Sequence, residues 1–179
     1  APGVQVMTSS RGGTALRLRA ARCDPLIWID GTPAYAGYID VDAFSPHTLA
    51  MQTGATLGDR MAMAFSERFF FHRTEKIIAI GVDDPSLTRE IIDHAFAILD
   101  SCDWVVGPAT DGGYYLVGCR AAAFDTSIFH DIEWGTGKVF PATMAKIAAW
   151  NSTVAVLPQR SDIDTEEDLN RGDWRAGNE

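Results

Sequence analysis

Three short apolar runs, each leading straight into a loop that carries aspartate, constrain this fold more than any other feature of the sequence. Residues 76–81, Lys-Ile-Ile-Ala-Ile-Gly, run into Val82-Asp83-Asp84-Pro85. Residues 103–107 run into a loop centred on Asp111-Gly112-Gly113. Residues 153–157 run into Pro158-Gln159-Arg160-Ser161-Asp162-Ile163-Asp164-Thr165. Compact apolar runs of this length, bounded by Gly and Pro, read as buried strands. Residues 4–8 and 25–30 read the same way, and 31–50, with Gly, Pro, aromatics and scattered Asp, read as irregular or weakly stranded. Helical patterns lie between these runs. One is a short segment at 15–23. A second spans 57–71, with Leu57, Met61, Met63, Ala64 and Phe65 at helical spacing. A third is capped by Ser86 or Thr88 and turns Ile91, Ile92, Ala95, Phe96 and Leu99 inward, and a fourth spans 139–150. A last helix opens at Thr165, with Asp168 in capping-box spacing, and the tail from Gly172 reads as frayed. Strands alternating with helices predict an α/β fold with a mostly parallel central sheet. The Asp-Gly-Gly turn before a strand at 114–118 adds at least one antiparallel strand, so the sheet is mixed.

The chain has 179 residues, the size of one domain, and its 46% hydrophobic content excludes a wholly disordered polymer. Its net charge of -9 repels nucleic acid and anionic lipid, so neither is an expected partner. A small anionic substrate remains compatible with that field, because a divalent cation opposes it locally. Cys23, Cys102 and Cys119 are odd in number and widely spaced, which predicts reduced thiols and a cytoplasmic protein rather than a disulfide framework or zinc cluster. No run of about 18 apolar residues occurs, so no membrane span is expected. The chain opens Ala-Pro-Gly without an initiator Met, as a processed or truncated product would.

In open α/β sheets ligands bind beyond the carboxyl ends of the strands, and here each of the three strand ends presents a carboxylate. Carboxylates are the hard ligands that Mg²⁺ and Mn²⁺ prefer, with phosphate oxygens completing the shell. Each loop also has a plainer reading. Asp83-Asp84-Pro85 suits a turn, Asp111-Gly112 a hairpin, and Asp162 or Asp164 a helix cap. His47, His72, His94 and His130 show no ligand spacing, and Phe69-Phe70-Phe71 reads as core at a helix end.

Taken together, these segments resemble the DUF2064 family. The resemblance rests on Gly-Val-Asp-Asp-Pro-Ser-Leu-Thr at 81–88, Gly-Pro-Ala-Thr-Asp-Gly-Gly-Tyr-Tyr-Leu-Val-Gly at 107–118 and Asp-Ile-Asp-Thr-Glu-Glu-Asp-Leu at 162–169. It extends to Gln-Thr-Gly-Ala-Thr-Leu-Gly-Asp-Arg-Met at 52–61 and Ile-Glu-Trp-Gly-Thr at 132–136. It implies one three-layer, Rossmann-like GT-A domain over residues 1–179 that acts as a glycosyltransferase on a nucleotide-diphospho-sugar, with an unspecified small-molecule acceptor and Mg²⁺ or Mn²⁺. Asp83 and Asp164 are then the metal ligands and Asp111 the candidate base. Arg60, Gly112, Gly113, Tyr114 and Trp134 are the candidate substrate contacts. Plainer alternatives stay open: Arg60 as a surface arginine, Trp134 as core, and either Tyr114 or Tyr115 facing a ligand while the other packs, with Tyr115 favoured for the core.

The chain departs from the family at its start, where a basic, glycine-rich phosphate loop is usual. The preferred account is that the family's first strand and loop are missing here, with Ser9-Ser10-Arg11-Gly12-Gly13-Thr14 as a weak substitute. Two other functions therefore stand beside the first. One is a nucleotidyltransferase acting on a nucleoside triphosphate, and the other is a degenerate, non-catalytic GT-A domain.

Overall fold

The computed structural model describes residues 3–7, 24–29, 48–81 and 87–161. Among the described residues there are seven strands: β1 (Gly3–Met7), β2 (Asp24–Ile29), β3 (Thr48–Met51), β4 (Lys76–Gly81), β5 (Trp104–Pro108), β6 (Tyr114–Arg120) and β7 (Val154–Val156). They form one sheet in the order β3-β2-β1-β4-β6-β5-β7. Only β6 is antiparallel to its neighbours, β4 and β5; every other pairing is parallel. The architecture is the mixed, mostly parallel α/β sheet that the alternating pattern predicts. The opening strand β1 lies at its centre, with Met7 in register with Trp28 on one side and Gly81 on the other.

Period-two alternation divides the central strands between two cores. Ile77 and Ala79 of β4, Trp104 and Val106 of β5, and Val117 and Cys119 of β6 face one side. There they pack against Met61, Ala64 and Phe65 of α1 (Leu57–Ser66) and Ile147 of α3 (Val139–Ala149). Ile78, Ile80, Val105 and Leu116 face the other side, against Ile92 and Ala95 of α2 (Arg89–Ile98) and Leu99 just beyond it. Each fully buried isoleucine stabilises this arrangement by about 1.5–3 kcal/mol. The result is three layers, helix–sheet–helix.

The helices correct the sequence reading in several places. The α-helix expected over 57–71 ends at Ser66 and continues as a wider π-helical turn, Glu67–Phe71. That turn buries Phe69 but leaves Phe70 and Phe71 70% and 82% exposed, so the triplet is not all core. Thr88 occupies the N-cap position of α2, yet its side chain does not accept from the first turn. Ile91 and Phe96 are only half-buried on that helix. Residues 15–23 and the helix expected from Thr165 lie outside the described residues.

The amino edge of the sheet is held by ions. Asp103 accepts from Arg120, and from the Thr153 amide and hydroxyl at 2.9 and 2.8 Å, tying β5, β6 and β7 together. Lys76 pairs with Asp100 at the same edge. No helix among the described residues is long and apolar enough to cross a membrane. Cys102 and Cys119 are free thiols.

Candidate functional site

The carboxyl edge of the sheet carries the ends of β4, β5 and β7 and the start of β6. In the order β4-β6-β5-β7, the chain leaves β4 at Gly81, enters β6 from the Asp-Gly-Gly turn and leaves β5 into that same turn. Beyond β7 the chain continues along this edge, because Arg160 bridges to Ala109 in parallel. The Arg160 amide donates to the Pro108 carbonyl at 3.0 Å, and the Thr110 amide donates to the Arg160 carbonyl at 2.9 Å. Asp83 follows Gly81 by two residues and Asp164 follows Ser161 by three. Both of these expected metal ligands, and Asp84, lie outside the described residues.

The turn itself is tightly specified. Gly113 donates its amide to Asp111 Oδ1 at 2.7 Å, and its carbonyl accepts from the Ala109 amide at 3.0 Å. This side-chain-to-backbone closure is why Asp fits the first position. Asp111 is exposed, and its other carboxylate oxygen makes no hydrogen bond with a described residue. Gly112 has φ +89°, a conformation that glycine adopts without strain. A Cβ on Gly112 would stand 2.5 Å from the carbonyl oxygen of Gly137, so a second loop, 133–138, lies backbone to backbone on the turn. The Phe140 amide, in the first turn of α3, donates to the Gly112 carbonyl at 2.9 Å and closes this seam.

A β-bulge follows at once. Leu116 pairs with Gly107 and Tyr114 with Pro108, leaving Tyr115 as the extra residue. Bulges re-aim side chains next to functional sites. Here Tyr115 joins Leu116 in the α2 core, while Tyr114 packs on the α1 side. The two tyrosines thus face opposite layers, and both are packed. Tyr115, 4% exposed, donates its hydroxyl to the Pro158 carbonyl at 3.1 Å, and the Arg160 guanidinium stands 5.7 Å over its ring. The Tyr114 hydroxyl points inward toward Met61 Sδ at 3.9 Å, and burial pushes its ionisation far above the ordinary range. The alternation of a strand signalled that the two tyrosines would separate; the bulge that lets both be packed left no sequence signal.

The remaining expected contacts gather where α1 begins. Trp134 meets the Tyr114 ring edge to face at 6.2 Å and lies 6.5 Å from the Phe129 ring. A Cβ on Gly58 would stand 2.6 Å from its indole nitrogen, so this glycine makes the room that the indole occupies. The N-terminus of α1 carries its own anion. Thr56 and Asp59 form a capping box at 3.0 and 3.1 Å, and the amide and hydroxyl of Thr56 hold the Asp59 carboxyl below the usual carboxylate range. Arg60 follows, half-buried, with its Nε out of solvent and without a hydrogen-bond partner. The role of this capping box in setting charge at the site escaped the sequence reading, although Thr56 three residues before Asp59 was the available signal.

Comparison with known proteins gives the family and the fold. A family model described as an uncharacterized protein conserved in bacteria, DUF2064, matches residues 14–136, well over half of the chain and including the Asp111 turn and Trp134. The chain belongs to the DUF2064 family. Among solved structures, this DUF2064 chain is similar to a protein from Desulfovibrio desulfuricans G20 provisionally described as a nucleotide-diphospho-sugar transferase. The two are 27% identical with a TM-score of 0.81, over 94% of this chain and 84% of that one. It shares its fold with a 4-diphosphocytidyl-2C-methyl-D-erythritol synthase from Anaerococcus prevotii, at 9% identity and TM-score 0.68, over 97% and 95% of the two chains. It also shares it with Rv0371c from Mycobacterium tuberculosis in complex with manganese, at 16% identity and TM-score 0.54, over 95% and 96%. No curated protein matches the sequence. The fold of this DUF2064 member is therefore GT-A-like, the class shared by nucleotidyltransferases.

Proposed function

We propose that this chain is a divalent-metal-dependent glycosyltransferase that takes a nucleotide-diphospho-sugar donor. The observation that carries this reading is that the end of β4 at Gly81, the Asp111 turn and the chain at Arg160 share one carboxyl edge, with Asp83 two residues after Gly81 and Asp164 four after Arg160 in the sequence. The nucleotide-diphospho-sugar transferase description of the D. desulfuricans protein supports the donor class.

Asp111 fits the part of general base. One carboxylate oxygen is held by the Gly113 amide, which fixes the side chain, and the other is left to accept the proton of an acceptor hydroxyl. Gly112 and Gly113 bring bare backbone to the surface of the turn, so a sugar or phosphate approaches without steric opposition. Arg60, with an unpartnered guanidinium nitrogen, fits a phosphate contact, while the Asp59 carboxylate beside it disfavours a phosphate on the α1 terminus itself.

Among the described residues no three metal-ligating side chains gather, but Mg²⁺ needs only one or two protein carboxylates when phosphates complete its shell, which leaves the free oxygen of Asp111 to its role as base. Asp83 and Asp164 would hold the ion, and the manganese in the complex of Rv0371c supports a divalent cation as the group they would hold. When bound, the ion offsets charge on the leaving nucleoside diphosphate. Ser9–Thr14, which follows β1 in the sequence, would be the substitute for the family's phosphate loop.

The fold shared with the A. prevotii synthase favours one second reading, a nucleotidyltransferase that takes a nucleoside triphosphate. Calorimetric titration with UDP, GDP, ADP, CDP and their sugar conjugates, and with the triphosphates, each with and without Mn²⁺, separates the two. Metal-dependent binding of one nucleotide sugar is the expected result. Binding of a triphosphate alone selects the second reading, and no binding of any of them removes both.

A further inference from the structure

We propose that Lys138 is the cation that takes a phosphate group of the ligand at this edge, and that Glu133 holds its place until the ligand arrives. The inference rests on the nucleotide-handling reading above and adds a residue to it.

The chain has three lysines, at 76, 138 and 146. Lys76 pairs with Asp100 at the opposite, amino edge of the sheet. Lys146 is committed to backbone, donating to the carbonyls of Ser127 at 2.7 Å and His130 at 2.5 Å. Lys138 alone stands at the carboxyl edge. It directly follows Gly137, whose backbone rests on Gly112 and whose Cβ position lies 3.3 Å from the Asp111 carbonyl oxygen. Arg120 pairs with Asp103 and Arg89 with Asp93, away from this turn, and Arg160, which lies on this edge, holds its guanidinium over the Tyr115 ring.

The backbone that carries Lys138 is fixed, but its charge is not. Thr136 donates its hydroxyl to the Glu133 carbonyl at 2.6 Å and accepts the Lys138 amide at 3.3 Å, which draws loop 133–138 into a closed ring. The ammonium meets Glu133 Oε2 at 2.9 Å, with the two side chains 72% and 65% exposed. An ion pair this exposed belongs to the weakest class and exchanges partners readily. A phosphate oxygen carries the same charge and acceptor chemistry as the Glu133 carboxylate. It would therefore compete for the same ammonium from the face where Gly135, φ +75°, has nothing within 4 Å of its Cβ position.

The test is calorimetric binding of inorganic pyrophosphate with Mg²⁺ to the full chain. The variants are Lys138→Ala, Glu133→Gln and, as a control at the far edge, Lys76→Ala. Loss of one charge-assisted contact predicts about tenfold weaker binding for Lys138→Ala. Removal of the competing carboxylate predicts severalfold tighter binding for Glu133→Gln, and Lys76→Ala should match the native protein. Equal affinity of the native and Lys138→Ala proteins overturns the assignment while leaving the nucleotide site standing. Weaker binding by Glu133→Gln overturns the place-holder role. A native protein that binds neither pyrophosphate nor any nucleotide overturns this inference and the functional reading together.

Discussion

The ring of Tyr115 fills the space that a side chain on Gly107 would need: a Cβ there would stand 2.7 Å from the ring's Cε2. The bulge in β6 puts the ring there, and the hydroxyl then reaches across to the Pro158 carbonyl. One glycine thus ties the strand before the Asp111 turn to the segment that runs beside it.

Gly107→Ala should cost about 1–3 kcal/mol, the usual penalty of overpacking a filled core. Tyr115→Phe, which leaves the ring and removes the hydroxyl, should cost about 1 kcal/mol. Urea unfolding followed by circular dichroism measures both. A neutral Gly107→Ala would mean that the ring moves aside.

Asp111→Asn should leave the fold intact, because the amide oxygen still accepts from Gly113, but it cannot take a proton. Turnover should fall by roughly 100-fold or more, with donor affinity changed far less. Steady-state kinetics with the donor identified by titration check this. Unchanged turnover would remove Asp111 from the chemistry.

Asp103 sets part of the acid limit of stability. Arg120 beside it, with the Thr153 amide and hydroxyl, holds its carboxyl down to about 2, from an ordinary value of 3.8. The unfolded chain therefore takes up this proton first. The stabilisation is fully present above the ordinary value and fades as pH falls through the folded one. Asp103→Asn should lower stability at pH 7 by on the order of 1 kcal/mol, since the carboxylate is partly exposed. It should also flatten the fall between about pH 4 and pH 2. Unfolding curves across that range test both effects.

Trp134→Ala should lose roughly 3 kcal/mol, as a truncated aromatic in packed surroundings does. Gly58→Ala should be destabilising too, since the new methyl meets the indole nitrogen at 2.6 Å and the Phe129 carbonyl oxygen at 2.3 Å. Because the two changes share the indole part of that contact, the double variant should be less damaged than their sum, with the clash at the Phe129 carbonyl remaining. Additive losses in denaturant titrations would show that the contact is not shared.

Legibility in the sequence followed local pattern. β4 and β5 stood out because apolar runs bounded by Gly or Pro have few other uses, and the turn at 111–113 because Asp-Gly is a backbone signal. β3 is only four residues long, after a stretch with no periodicity, and it was readable only as weakly stranded. The position of β1 between β2 and β4 is a matter of partners distant in sequence, which local propensity does not encode. The widening of the helix at Glu67 left no trace either, since Phe69, Phe70 and Phe71 suit a buried end as well as an exposed one. At the site, residue types were legible and directions were not. The inward hydroxyl of Tyr114 and the indole of Trp134 over Gly58 depend on tertiary packing.

Gly112 and Gly137 join two loops without a single side-chain atom between them. A seam of that kind cannot be tuned: any larger residue at Gly112 collides with backbone, which has nowhere to yield. A change at this edge is therefore accommodated only beside the seam, at exposed positions such as Thr136 and Lys138, while the seam itself holds the two loops in one fixed relation.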